Sequence, residues 1–255
     1  YSYVDSYESV TLPSQETGNK EEKNNVTKKE LPSEYKIKSD GVYINGHILS
    51  GADSKTFQYI DNNYAKDAMH VYYWERTILD ADPMTFKLLT DNGLLAKDKN
   101  HVYIAGVITK NIDPATAVSL DTRTLYIKDK NNIYSEGMPI QGADLQSFKV
   151  IDISSNKFVN VSLEFAKDSL HVYFYDDVIN GADPASFVVL GSDEYAYAKD
   201  NNHVYCIYKC YDPKSKYSVI ITSNIADPKT FEVVAGGYTK DATHVWFNFE
   251  ETGAN

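Results

Sequence analysis

Apolar and polar positions alternate along this chain in a phrase that returns about every 31 residues. An aromatic or leucine (Tyr64, Leu95, Tyr126, Phe165, Tyr197, Tyr238) stands two residues before a Lys-Asp pair, and a branched residue followed by an aromatic comes five residues after the lysine (Val71-Tyr72, Val102-Tyr103, Ile133-Tyr134, Val172-Tyr173, Val204-Tyr205, Val245-Trp246). Branched and aromatic residues flanking a polar stretch read as strands around a turn, because Asp and Asn bond their own backbone there. Each copy therefore predicts a β-hairpin. The lysines Lys66, Lys97, Lys128, Lys167, Lys199 and Lys240 are spaced by 31, 31, 39, 32 and 41 residues, and a clipped copy, IKSDGVY, occupies 37–43. The two long spacings predict loop insertions at about 152–162 and 206–222.

A second phrase interleaves with the first: GADSKTF, DADPMTF, NIDPATA, GADLQSF, GADPASF and IADPKTF. Its aspartates (Asp53, Asp82, Asp113, Asp144, Asp183, Asp227) suit helix N-caps, and Pro83, Pro114, Pro184 and Pro228 suit the first helical position, where a missing N–H costs nothing. Only about one turn fits before the next strand. Ala117 stands where the other copies carry Phe, so that unit needs a neighbour to fill the gap or is left with a cavity.

These signals predict a mainly β fold of seven hairpin units, each with a short helical turn, stacked as an elongated solenoid or curved sheet assembly. A β-propeller is the alternative, disfavoured because blades need four strands and typically about 40 residues. A 31-residue unit cannot bury a core alone, so neighbours must share one, and residues 35–249 form a single array. Residues 1–34 are polar and charged and read as a flexible leader, with 250–255 as a fraying tail. A polar leader ahead of a β array suits a tether behind an export signal or lipid anchor.

The net charge of −11 and the presence of only two arginines, Arg76 and Arg123, argue against a nucleic-acid partner, which needs clustered cations. No apolar run is long enough for a membrane-spanning helix.

The hairpin phrase, as in Asp98-Lys99-Asn100-His101-Val102-Tyr103 and Asp129-Lys130-Asn131-Asn132-Ile133-Tyr134, together with its ADPxTF partner resembles the DKNYY family of bacterial tandem repeats over about residues 36–247. Departures are His or Asn where the family often has Tyr before Val, and the two insertions. The resemblance implies a repeat architecture and an exported or envelope-associated setting, and it carries over no catalytic residue.

Candidate chemistry is sparse. His70, His101, His171, His203 and His244 share one repeat position, but Asn132 fills the same slot, which favours locally bonded turn residues over a zinc or copper ladder. Calcium at the acidic turns is disfavoured because a lysine precedes every full-copy Asp. No nucleophile, dinucleotide or phosphate-loop motif is present, so neither an enzyme nor a cofactor is expected. Cys206 and Cys210, in the second insertion, are open to a local disulfide if the protein is exported and to free thiols if it is cytosolic. Tyr175, Tyr208, Tyr211 and Tyr217 lie outside the repeat lattice, where exposed aromatics could stack on a sugar or anchor a protein. The expected function is a non-catalytic scaffold or binding module whose partner is a protein or glycan. The alternative is a carbohydrate-binding protein or hydrolase using the insertion loops.

Overall fold

The computed structural model describes residues 30–61, 63–153, 164–192, 196–209, 218–223, 225–248 and 250–252. The predicted hairpins are there, each enlarged into a sheet: seven antiparallel sheets follow one another along the chain, the first with three strands and the rest with four. In the second unit the strands are Gln58–Asp61, Tyr64–Lys66, Val71–Tyr73 and Arg76–Ile78, paired in sequence order. The Lys-Asp turn joins the second and third strands, so the hairpin read from the sequence is the middle of the sheet. Outer strands of only two to five residues in most units explain how about 31 residues supply four strands. The sheets remain in tandem, and among the described residues none closes into a barrel or propeller.

Period-two alternation places successive side chains on opposite faces of each sheet, and in the inner sheets each face packs against a different neighbour. Tyr64 and Val71 point onward and cluster with Ile78, Phe86 and the next unit's Ala96 and Tyr103. Their sequence neighbours Ala65 and Tyr72 point back and cluster with Tyr35, Val42, Ile44, Leu49 and Phe57. The same division recurs at the other interfaces, giving six buried clusters between seven sheets. No unit owns a complete core. On the last sheet the onward positions Tyr238 and Phe247 stack on each other at 4.8 Å and stay about half exposed, whereas Tyr64, Tyr126 and Tyr197 in the same slot as Tyr238 are buried.

The linkers form the predicted single turn. Asp53 O accepts the Phe57 N–H at 2.9 Å, Asp82 O the Phe86 N–H at 3.1 Å, and Asp183 O the Phe187 N–H at 3.0 Å. The chain then extends at once into a strand, so no helix is assigned among the described residues. The linker phenylalanine drops between two units, as Phe86 does between Tyr64 at 5.2 Å and Tyr103 at 5.5 Å. At the Ala117 interface the neighbours fill in: Ala117 is fully buried among Leu95, Val102, Ile112, Ile127 and Tyr134, with Leu89, Ile104 and Leu125 packed alongside.

Two boundaries shift. Glu250–Glu251 is the fourth strand of the last sheet, paired with Trp246 and Phe247, so the array runs past 249 into the expected tail. At the other end Glu34 O accepts the Asn45 N–H at 2.9 Å, which ties the last residue of the expected leader to the first sheet; residues 1–29 lie outside the described residues. The second insertion is in large part strand. Val204–Lys209 pairs with Ser218–Ser223 across six registered positions, because branched and aromatic residues continue the hairpin beyond its usual three. Residues 154–163 and 210–217 lie outside the description.

Candidate functional site

The recurring Lys-Asp pair is a two-way clip between units. Asp67 Oδ1 accepts the N–H groups of Met69 at 2.8 Å and His70 at 2.7 Å, closing the turn. Its Oδ2 accepts the Tyr72 hydroxyl at 2.7 Å and the Asp53 N–H of the preceding linker at 3.0 Å. The same four donors converge on Asp98, Asp129, Asp168 and Asp200. Burial works to raise the pKa of these carboxyls, but the hydrogen bonds to the charged form outweigh it and hold all of them below the usual carboxylate range, Asp168 at about 2.

The lysine beside each Asp points to the opposite face and reaches the following linker. Lys66 Nζ donates to Pro83 O at 2.8 Å, and Lys97 Nζ to Pro114 O at 3.0 Å and Ala117 O at 2.7 Å. One dipeptide thus ties a sheet to the linker before it and the linker after it. Sequence reading identified the Asp as a turn former and missed the cross-unit bonds. The available signal was a lysine present in every full copy, next to an Asp of opposite facing.

The linker aspartates act as the expected caps, with Asp53 Oδ1 accepting the Lys55 N–H at 3.0 Å and Oδ2 the Thr56 hydroxyl at 2.8 Å. Thr56 Oγ1 in turn accepts the Ala68 N–H of the next turn at 3.1 Å. Two of these caps also meet lysines, Asp82 with Lys99 and Asp113 with Lys130, each at 3.0 Å. The five turn histidines lie 3.3 to 3.9 Å from the Asp of their own unit. Among the described residues no group of three or more His, Cys, Asp or Glu is placed to hold a metal ion.

Of the aromatics singled out from the sequence, Tyr175 and Tyr208 lie within the described residues. Tyr175 is buried: its ring packs on Phe174 at 4.8 Å and its carbonyl accepts the Tyr126 hydroxyl at 3.0 Å, so it serves the core and offers no exposed face. Tyr208 lies in the long strand Val204–Lys209, and Tyr211 and Tyr217 lie outside the described residues. Cys206 is a free thiol facing the last interface with Val204 and Trp246, its pKa pushed up to about 12 by burial. Cys210 lies outside the described residues.

A cleft of about 610 Å³ opens where the first two units meet, lined by Ser33, Glu34, Lys36, Asn45, Gly46 and Trp74. Sequence reading passed over Trp74, because the residue does not recur. A second cleft, of about 330 Å³, lies over the clip of the last two units beside Asp200, Lys199 and Lys229. No helix among the described residues is long and apolar enough to cross a membrane.

No curated protein and no solved structure matches the chain. The model of the DKNYY family matches three times, over residues 1–76, 64–125 and 126–252. With the tandem sheets and their repeated Lys-Asp clip, those matches span nearly the whole sequence, and the chain belongs to the DKNYY family.

Proposed function

We propose that this protein is a non-catalytic binding scaffold of a bacterial envelope, in which the repeated residues build the frame and the unrepeated ones meet the partner. The observation that carries this reading is the saturation of the repeat carboxylates. Each of Asp67, Asp98, Asp129, Asp168 and Asp200 already accepts four hydrogen bonds, which leaves no lone pair directed at a substrate proton or a cation. The lysines are likewise engaged with linker carbonyls, so recurrence here reports architecture.

The envelope setting rests on what membership of the family implies, and the acidic balance of −11 supports a partner other than nucleic acid. Co-sedimentation of the purified chain with isolated bacterial envelopes tests the reading. Saturable sedimentation that persists at high salt is expected, whereas a protein left in the supernatant at every envelope concentration would overturn it.

A further inference from the structure

The tight turn between the last two strands of a sheet holds a left-handed residue in unit after unit: Asn45 (φ 50°), Trp74 (53°), Ala105 (47°), Glu136 (48°), Tyr175 (54°) and Asn248 (50°). Asparagine suits this conformation. A bulky aromatic is the poorest fit. Tyr175 is explained by its burial in the core, where its ring packs on Phe174. At Trp74 the backbone is held by the turn's own bond, its N–H donating to Asn63 O at 2.8 Å as Ala105 N–H does to Leu94 O, but its ring belongs to none of the buried clusters, is 39 % exposed and lines the first cleft.

The residues lining the cleft with Trp74 carry side chains of both hydrogen-bonding senses, Asn45, Ser33, Glu34 and Lys36, and Ser33 Oγ donates to the Glu34 carboxylate at 3.4 Å. The carboxylate and the ammonium cancel in net charge, so the cleft selects neither an anion nor a cation. A ligand that matches has one flat apolar face and a rim of hydroxyls. We infer that the Trp74 cleft is a glycan subsite, in which the C–H face of a neutral β-linked pyranose stacks on the indole while Asn45, Ser33, Glu34 and Lys36 bond its hydroxyls. The inference deepens the binding-scaffold reading and rests on it.

Calorimetric titration of the full chain with cellotetraose and with tetra-N-acetylchitotetraose is the test. Saturable binding of at least one is expected, weakened tenfold or more by Trp74→Asn and several-fold by Asn45→Ala. The Trp74→Asn variant should fold, because asparagine occupies the same turn position in the first and last units; its melting temperature should stay within a few degrees of the parent's. Tryptophan fluorescence gives a second readout in the parent and in Asn45→Ala, since the other tryptophan, Trp246, is buried in the last interface. No saturable heat with either sugar, or equal affinity in Trp74→Asn and the parent, would overturn the assignment. Envelope sedimentation separates the two ideas: a parent that sediments without binding either sugar leaves the scaffold reading standing and removes only this site.

Discussion

At the scale of single residues the chain is organised around buried carboxylates that stay charged. Because the folded pKa of Asp168 lies at about 2, below the ordinary value of about 3.9 in an unfolded chain, its contribution is complete above pH 4 and is lost as the pH falls towards 2. Asp67, Asp98, Asp129, Asp200 and Asp241 shift in the same direction, so their losses coincide. Urea melts across this range should show midpoints that hold steady down to about pH 4 and then fall steeply. Asp168→Asn keeps the shape but turns one acceptor into a donor facing Tyr173 and the Asp144 N–H, which should cost about 2 kcal/mol at pH 7. That deficit should narrow as the pH falls from about 4 towards 2, where the parent loses the same charge. A deficit that is constant over the window would mean that the carboxylate's charge is not what the turn uses.

Elements here are short, so their ends matter more than their lengths. Asp183 caps the linker turn through the Ala185 N–H at 3.0 Å and the Ser186 hydroxyl, and Asp183→Ala should cost about 1 kcal/mol. Thermal melts in calcium and in chelator check the physical basis. The loss should be equal in both, because a cap needs no ion, whereas a bound ion would stabilise the folded parent by mass action. A different constraint acts at Gly106, whose φ is +75° and whose N–H donates to the Tyr64 hydroxyl of the preceding unit at 2.8 Å. A Cβ there would lie 2.6 Å from Tyr73 Cβ, so Gly106→Ala combines backbone strain with a clash between units and should destabilise by about 2 kcal/mol or more. A melt unchanged by this substitution would show that the two turns can separate without cost.

For the molecule as a whole, stability is a property of interfaces. Each buried cluster draws on two adjacent sheets, so the free energy follows nearest-neighbour terms. Tyr103→Ala removes a fully buried ring that contacts Phe86 and hydrogen-bonds Asp98, and should cost about 3 to 5 kcal/mol. Hydrogen exchange should show where the loss falls. Amides of the second and third sheets should exchange faster, while those of the last two sheets keep their protection. A uniform loss over all the sheets would instead mark the array as a single cooperative block.

Much of this architecture was legible in the chain itself. The strands around each Lys-Asp turn, the Asp-Pro caps and the count of units follow from local rules, since propensity, turn chemistry and capping act within a few residues and repeat with the sequence. Other features were decided only by packing. The outer strands of two or three residues carry too little pattern to be read alone, and they exist because the central hairpin offers free edges. The forward reach of Lys66 and Lys97 depends on where the next linker lies, about 17 residues along the chain, and that position is set by sheet stacking. Tyr175 and Trp74 show the same limit most clearly. Both are aromatics at one turn position, yet one is enclosed by the core and the other borders an open cleft, because burial depends on what the neighbouring unit brings against each ring and no local rule encodes that.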